Sequence, residues 1–327
     1  MNTIIDLHCD LLCYMLEMEK PNPFAEGIGA SFPLLKKGNV KLQVMAMFTA
    51  TGKGSAQEAV RQSEIFRYFL SEYSQNCYLV KDLETLSRID SEDRIGMIAS
   101  IENASGLCEE DEDIEVAFDR LEEIISNVER LLYIGFTHHP ENRFGGGNNS
   151  SVGLKEDGKK LLDYLSGRRI AVDFSHASDA LAWDILNYID ERQLDISIIA
   201  SHSNYRSVWD HNRNLPDALA KEIISRGGLI GLNFLRAFMN DDDSTALYDH
   251  IQYGLELGGE QSVCFGADYF NTDDHPDRSR VPFYYPEHFD ASKYPSILNQ
   301  ISDRNGQEYV SSIACQNVKR YLKGLWS

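Results

Sequence analysis

An apolar run near the start of the chain closes as Asp6-Leu7-His8-Cys9-Asp10. His8 and Asp10 stand two apart, so on a strand their side chains leave the same face and Cys9 turns to the other. An imidazole nitrogen beside a carboxylate oxygen is the donor pair that a borderline divalent cation favours. Similar endings recur along the sequence. Ile98-Ala99-Ser100-Ile101 runs into Glu102, Leu132 to Thr137 into His138 and His139, Ile170 to Ser175 into His176, Ile198 to Ser201 into His202, and Val263 to Ala267 into Asp268. A further run supplies Asn233 and, just beyond it, Arg236. An acid that closes an apolar run is costly unless it is paired or bound to metal. His8, Asp10, Glu102, His176 and His202 make five ligands, too many for one open tetrahedral site and suited to two metals that share a carboxylate. Such a pair can lower the pKa of a bridging water and polarise a carbonyl, leaving a nearby carboxylate to move protons.

The elements that must position these residues read as strands over 3–8, 42–49, 95–101, 131–137, 169–174, 196–201, 228–234 and 262–267. Between them lie helical patterns: Glu58 to Tyr73, Ile114 to Val128, Lys159 to Leu165, Asp179 to Ile189 and Pro216 to Ser225. The last places Pro216 at the first helical position and Gly227-Gly228 beyond its end. Strands alternating with helices imply a parallel sheet, because parallel neighbours need a crossover. Continuous apolar runs such as Leu229-Ile230-Gly231-Leu232 suit strands buried on both faces. A doubly wound open sheet is the rival fold, but no GxGxxG follows the first strand and chemistry-bearing residues close nearly every strand. In a closed (β/α)8 TIM barrel all those ends meet at one mouth. No repeat or linker interrupts the chain, which gives one barrel domain over residues 1–327. The segment Phe144-Gly145-Gly146-Gly147-Asn148-Asn149 reads as a mobile loop at that mouth.

Composition narrows the partners. The 327 residues carry a formal charge of -20, with 43% hydrophobic and 25% charged residues. That balance excludes nucleic acid and anionic membrane as partners, since both require clustered Lys and Arg, and it favours small molecules. Part of the charge lies in Glu109 to Asp113 and Asp241 to Asp243, which read as solvated helix starts. No run is apolar enough to span a membrane, and no basic segment followed by an apolar one opens the chain. The six cysteines include no CxxC pair and suit reduced thiols in a cytoplasm.

In order and spacing, these motifs resemble the membrane (renal) dipeptidase family, peptidase family M19, of amidohydrolase-like metal-dependent barrel hydrolases. The resemblance rests on Asp6 to Leu11, Ile101-Glu102-Asn103, Phe136-Thr137-His138, Asp173 to Ser178, Ser201 to Asn204, Arg213 to Asp217 and Phe265 to Tyr269, with Cys315 to Arg320 similar to the family's last helix. It implies a zinc-dependent dipeptidase that uses a metal-bridging hydroxide, with His8 and Asp10 on one Zn²⁺, His176 and His202 on the other, and Glu102 bridging. His138 would then contact the scissile group, Arg213 would grip the substrate's C-terminal carboxylate, and Asp268 would be the acid/base residue. The resemblance also implies a homodimer. Leu7 stands where the family usually has Gly and Cys9 where it often has Asn, and Tyr269-Phe270-Asn271 replaces the usual Phe-Asp-Gly. The last departure lies in the mouth and bears on substrate choice, including whether L,D- as well as L,L-dipeptides are taken.

His139 and the segment 272–285, with Asp273, Asp274, His275, Asp277, Arg278 and Arg280, are candidates to shape the pocket. His275, His211, His250 and His288 otherwise read as residues without a chemical role, and Cys9 as a buried small hydrophobe rather than a nucleophile. Two other functions compete. One keeps the metals and acts on an N-acyl amino acid, lactone or phosphoester; the other is an inactive barrel scaffold, disfavoured because every ligand position is filled.

Overall fold

The computed structural model describes residues 2–273, 275 and 277–327, so that Asp274 lies outside the described residues. Its strands are β1 (Ile4–Cys9), β2 (Val40–Phe48), β3 (Cys77–Leu79), β4 (Ile95–Glu102), β5 (Leu131–Gly135), β6 (Ala171–Asp173), β7 (Ile198–Ile199), β8 (Ile230–Leu232) and β9 (Val263–Phe265). Eight of them lie side by side in the order β7-β6-β5-β4-β2-β1-β9-β8. A parallel bridge between Ala200 and Ile230 joins the two ends, where Ala200 N donates to Leu229 O and Gly231 N to Ala200 O, both at 2.8 Å. The result is a (β/α)8 barrel, as the alternation of apolar runs and amphipathic segments requires.

One strand has no counterpart in the sequence reading. β3 pairs with the first half of β4 (Cys77 with Ile95, Leu79 with Met97), while β5 takes over from Ala99 onward. Three residues between a long helix and a short one carry too little periodicity to stand out. The helices match the expected segments within a few residues, at Ser55–Glu72, Glu115–Val128, Glu156–Leu165, Asp179–Arg192 and Asp217–Ser225. Pro216 is the N-cap rather than the first helical residue, and Gly227 ends that helix with φ +74°, a left-handed conformation that Gly adopts without strain.

The core has two parts. Ile5, Leu7, Leu42, Val44, Ile98, Leu132, Tyr133, Ala171, Ile199 and Cys264 fill the barrel, and Val318, Tyr321, Leu322 and Leu325 of the helix Asn317–Leu325 plug its lower end. Their spacing of three and four residues puts one helical face against the opening. A larger cluster packs the outer helices against the strands. Among the described residues no helix is long and apolar enough to cross a membrane.

β1 departs from simple alternation. Its register against β2 shifts between Asp6 and Cys9, an irregularity of the kind that re-aims side chains beside active sites. Asp10 lies one residue past the strand, at the N-cap of the short helix Leu11–Met15. His8 and Asp10 nevertheless converge, and Cys9 turns away to place Sγ 3.7 Å from Met45 Sδ.

Candidate metal centre

The upper ends of six strands deliver their closing residues to one point. Glu102, the last residue of β4, sits between two groups of ligands. Its Oε2 lies 3.3 Å from His8 Nε2, and its Oε1 lies 2.8 Å from His176 Nε2 and 3.5 Å from His202 Nε2. His176 Nε2 and His202 Nε2 are 3.0 Å apart, and Asp10 Oδ1 is 3.7 Å from His8 Nε2. Two donor groups of metal-binding dimensions therefore share Glu102: His8, Asp10 and Glu102, and Glu102, His176 and His202.

Local hydrogen bonds hold this arrangement. Asn103, with φ +75°, donates from Nδ2 to Thr49 O at 2.8 Å and accepts at Oδ1 from Asn142 Nδ2 at 2.9 Å, which pins the chain just after Glu102. Ser178 caps the helix Asp179–Arg192 two residues past His176, and Thr137 Oγ1 donates to His176 O at 3.2 Å. Asp268 also has positive φ, +63°. Strain at a non-glycine residue persists only where its surroundings hold it; here Asp268 N donates to His8 O at 3.3 Å and Asn233 Nδ2 donates to Oδ2 at 2.8 Å.

The site's electrostatics call for a cation. Burial raises the carboxyl of Glu102 above its usual range, with repulsion from Asp10 adding to it. Burial, with Asp10 and Glu102 nearby, pushes Asp268 up to about 8. Burial and the adjacent Arg213 hold His176 and His202 well below the ordinary imidazole range, as neutral ligands. His8 Nε2 and Asp10 Oδ1 are buried atoms with no hydrogen-bond partner. The neutral nitrogens of His176 and His202, the crowded carboxylates and the unpartnered His8 and Asp10 atoms fit divalent metal, and their nitrogen and oxygen set suits zinc.

Around this floor lies a cavity of about 880 Å³ whose lining includes His138, His139, Trp209, His211, Phe238 and Arg280. His138 Nε2 is 3.8 Å from Glu102 Oε1, and burial keeps its imidazole neutral. Arg213 is buried beside the ligands: Nη1 donates to Ser203 Oγ at 2.8 Å, Nη2 to His202 O at 2.9 Å, and Nη2 lies 3.3 Å from His176 Nε2. Cys9 is fully buried against Met45, and burial raises its thiol far above the usual range.

His275, a candidate to shape the pocket, lines the cavity, as does His211, whose Nδ1 accepts from Arg213 N at 3.1 Å. His250 and His288 are fully buried. One expectation needs correction. The segment 144–149 is packed rather than loose: Gly145 bridges to Leu154 and Gly147 to Ala177, and a Cβ at Gly147 would lie 2.0 Å from His138 O. These glycines let two backbones touch beneath His138. Tyr133, Asp173 and Ser201 lie behind the histidine ligands. Asp173 and Ser201 belong to the sequence motifs without a role of their own there, and the signal of all three is a polar residue in or closing an apolar run.

Comparison with known proteins bears on the family and the fold. The family described as membrane dipeptidase (peptidase family M19) matches residues 1–325. An uncharacterised Klebsiella pneumoniae protein of the pqqA 5′ region is 26% identical over 266 residues, covering 76% of this chain and 88% of that protein. Dipeptidase verJ of Clonostachys rogersoniana is 27% identical over 277 residues, covering 82% of this chain and 65% of that protein. A crystal structure of a Rhodobacter sphaeroides metallopeptidase, liganded with a phosphinate mimic of L-Ala-D-Ala, superposes with a TM-score of 0.84 at 17% identity, covering 99% of each chain.

Proposed function

The chain belongs to the membrane dipeptidase family, and from that premise we propose that it hydrolyses dipeptides with two zinc ions, His8 and Asp10 holding one, His176 and His202 the other, and Glu102 shared. The observation that carries this reading is the position of Glu102, with one oxygen 3.3 Å from His8 Nε2 and the other 2.8 Å from His176 Nε2. The chemistry a bound pair supplies is a water acidified to near neutrality and an electrophilic grip on the scissile carbonyl.

The remaining work falls to side chains of the chain itself. Asp268, held at Oδ2 by Asn233, takes a proton from the attacking water at Oδ1 and returns it to the departing amine. His138, neutral and 3.8 Å from Glu102, donates from its ring N–H to the oxygen that gains charge. Arg213 grips the C-terminal carboxylate with a planar guanidinium. Its place beside His176 would set that carboxylate close to the scissile bond, an arrangement that would favour dipeptides over longer chains. Six free cysteines support a cytoplasmic setting.

A screen of L,L- and L,D-dipeptides with zinc-loaded protein, run beside Asp268→Asn, tests the reading. Hydrolysis of at least one series by the wild type and its loss in Asp268→Asn are expected; no turnover of any dipeptide would transfer the site to a non-peptide amide or ester.

A further inference from the structure

The histidines that face the proposed metals have a second ring nitrogen, and the structure assigns each of two of them a buried hydroxyl. His8 Nδ1 lies 2.7 Å from Tyr133 Oη, and Tyr133 Oη donates to Leu7 O at 2.9 Å. A phenol has one proton, so with that proton on Leu7 O the oxygen can only accept from His8. Nδ1 therefore carries an imidazole hydrogen, and Nε2, directed at Glu102 and Asp10, is the nitrogen left to bind a metal.

His202 repeats the pattern with a different terminus. Its Nδ1 lies 2.7 Å from Ser201 Oγ, and Ser201 Oγ donates to Asp173 Oδ2 at 2.5 Å. Asp173 is buried at the end of β6. Its Oδ1 accepts from Ser175 Oγ at 2.8 Å and from Ser201 N at 2.7 Å, and Ser175 Oγ in turn accepts from His202 N at 2.9 Å. With the Ser201 proton committed to the carboxylate, the hydroxyl accepts from His202 Nδ1–H. The two relays differ in charge: Tyr133 ends on a neutral carbonyl, Ser201 on a carboxylate.

We propose that Asp173, acting through Ser201, is a positioning residue that sets the tautomer of His202 and lends negative charge to the His176/His202 half of the site, while Tyr133 sets His8 without adding charge. The asymmetry has a reason in the ligand sets. The His8 half has a carboxylate of its own in Asp10; the other half has only its share of Glu102, and Asp173 supplies a second carboxylate at one remove. This inference rests on the dinuclear reading above.

Substitution at Asp173 has a sharp chemical consequence. In Asp173→Asn the new amide, turned toward Ser201, donates to Oγ, so the serine proton points to His202 Nδ1 and the imidazole hydrogen moves to Nε2, where it blocks a metal. Ser201→Ala removes the constraint without imposing the wrong tautomer. The test is zinc binding by chelator competition, with cobalt absorption as a spectroscopic signature of each half. Wild type should bind two equivalents. Ser201→Ala should weaken one of them by about 10- to 100-fold and leave the other within about threefold, with Asp173→Asn affecting the same equivalent more strongly and Tyr133→Phe affecting the other. Asp173→Asn and Ser201→Ala should perturb the same cobalt bands, and Tyr133→Phe different ones. Ser201→Ala binding both equivalents like wild type, or Asp173→Asn and Tyr133→Phe weakening the same one, overturns the proposal. Apo-protein melting identifies a variant that fails to fold, and the remaining two then carry the comparison. If wild type itself binds fewer than two equivalents, the dinuclear reading has failed instead.

Discussion

Asn233 Nδ2 donates to Asp268 Oδ2 at 2.8 Å, while Asp268 Oδ1 lies 3.6 Å from His8 Nε2. One oxygen is thus tethered and the other faces the metal ligands, a division of labour that a proton-transferring carboxylate needs. Asp268→Asn is expected to lower dipeptide kcat by about 10²- to 10⁴-fold with two equivalents of metal retained. Steady-state kinetics with parallel metal analysis measures both, and an unchanged kcat would remove Asp268 from the mechanism.

Arg213 is buried against His176 and His202. Arg213→Ala should cost at least roughly 2 kcal/mol of transition-state binding, about thirtyfold in kcat/KM. The contrast between a dipeptide and its C-terminal amide isolates the cause. Wild type should discriminate strongly between them, and the variant should not; equal discrimination in both would mean that Arg213 grips something else.

Removing metal leaves Asp10, Glu102 and Asp268 crowded together, offset only in part by His8 and Arg213. Free zinc at a thousandfold excess over its Kd should stabilise the fold by about 4 kcal/mol. Thermal melts before and after chelation, and after zinc is returned, check this; coincident melting curves would argue against a metal bound in the native state.

His250 is buried, accepts from Tyr205 N at 3.3 Å and lies 2.9 Å from Met239 O. Burial depresses its pKa to about 4, and His288 behaves alike. Both values lie below the roughly 6.5 of an unfolded histidine, so between those limits the unfolded chain binds more protons. Their contribution is complete above the unfolded value and declines as pH falls from about 6.5 toward 4, by up to about 3 kcal/mol for each. Urea unfolding at a series of pH values should show His250→Gln less acid-sensitive than wild type; an identical slope would exclude this histidine as the cause.

Gly147→Ala should destabilise the fold by more than about 2 kcal/mol, because its Cβ would meet the carbonyl oxygens of His138, His139 and Pro140 at 2.0 to 2.5 Å. Activity should fall with it, since that backbone carries His138. A variant of full stability and activity would show that the segment has room to yield.

Much of this is legible in the sequence, for a physical reason. A parallel barrel advertises its strands as apolar runs, and a polar residue that closes one has few destinations other than the mouth, so His8, Glu102, His176, His202 and Asp268 could be read in turn. β3 escaped because three residues are too few for a pattern. The relays escaped because they depend on neighbours distant in sequence: Tyr133 meets His8 across the barrel interior, and Asp173 meets Ser201 only because β6 pairs with β7. Gly145 to Gly147 misled because glycine serves both loose turns and close contacts, and sequence does not separate the two.

β1 lies between β2 and β9, so the first strand of the barrel is completed by the one that comes last in sequence order. His8 and Asp10 are synthesised before their surroundings, which await Phe265, whose partner is Asp6, and then Asp268. Contacts of such sequence separation form slowly. A partial chain therefore carries the donors without the enclosure that makes them a metal site, and zinc uptake during refolding should report ring closure rather than the earlier formation of individual strands and helices.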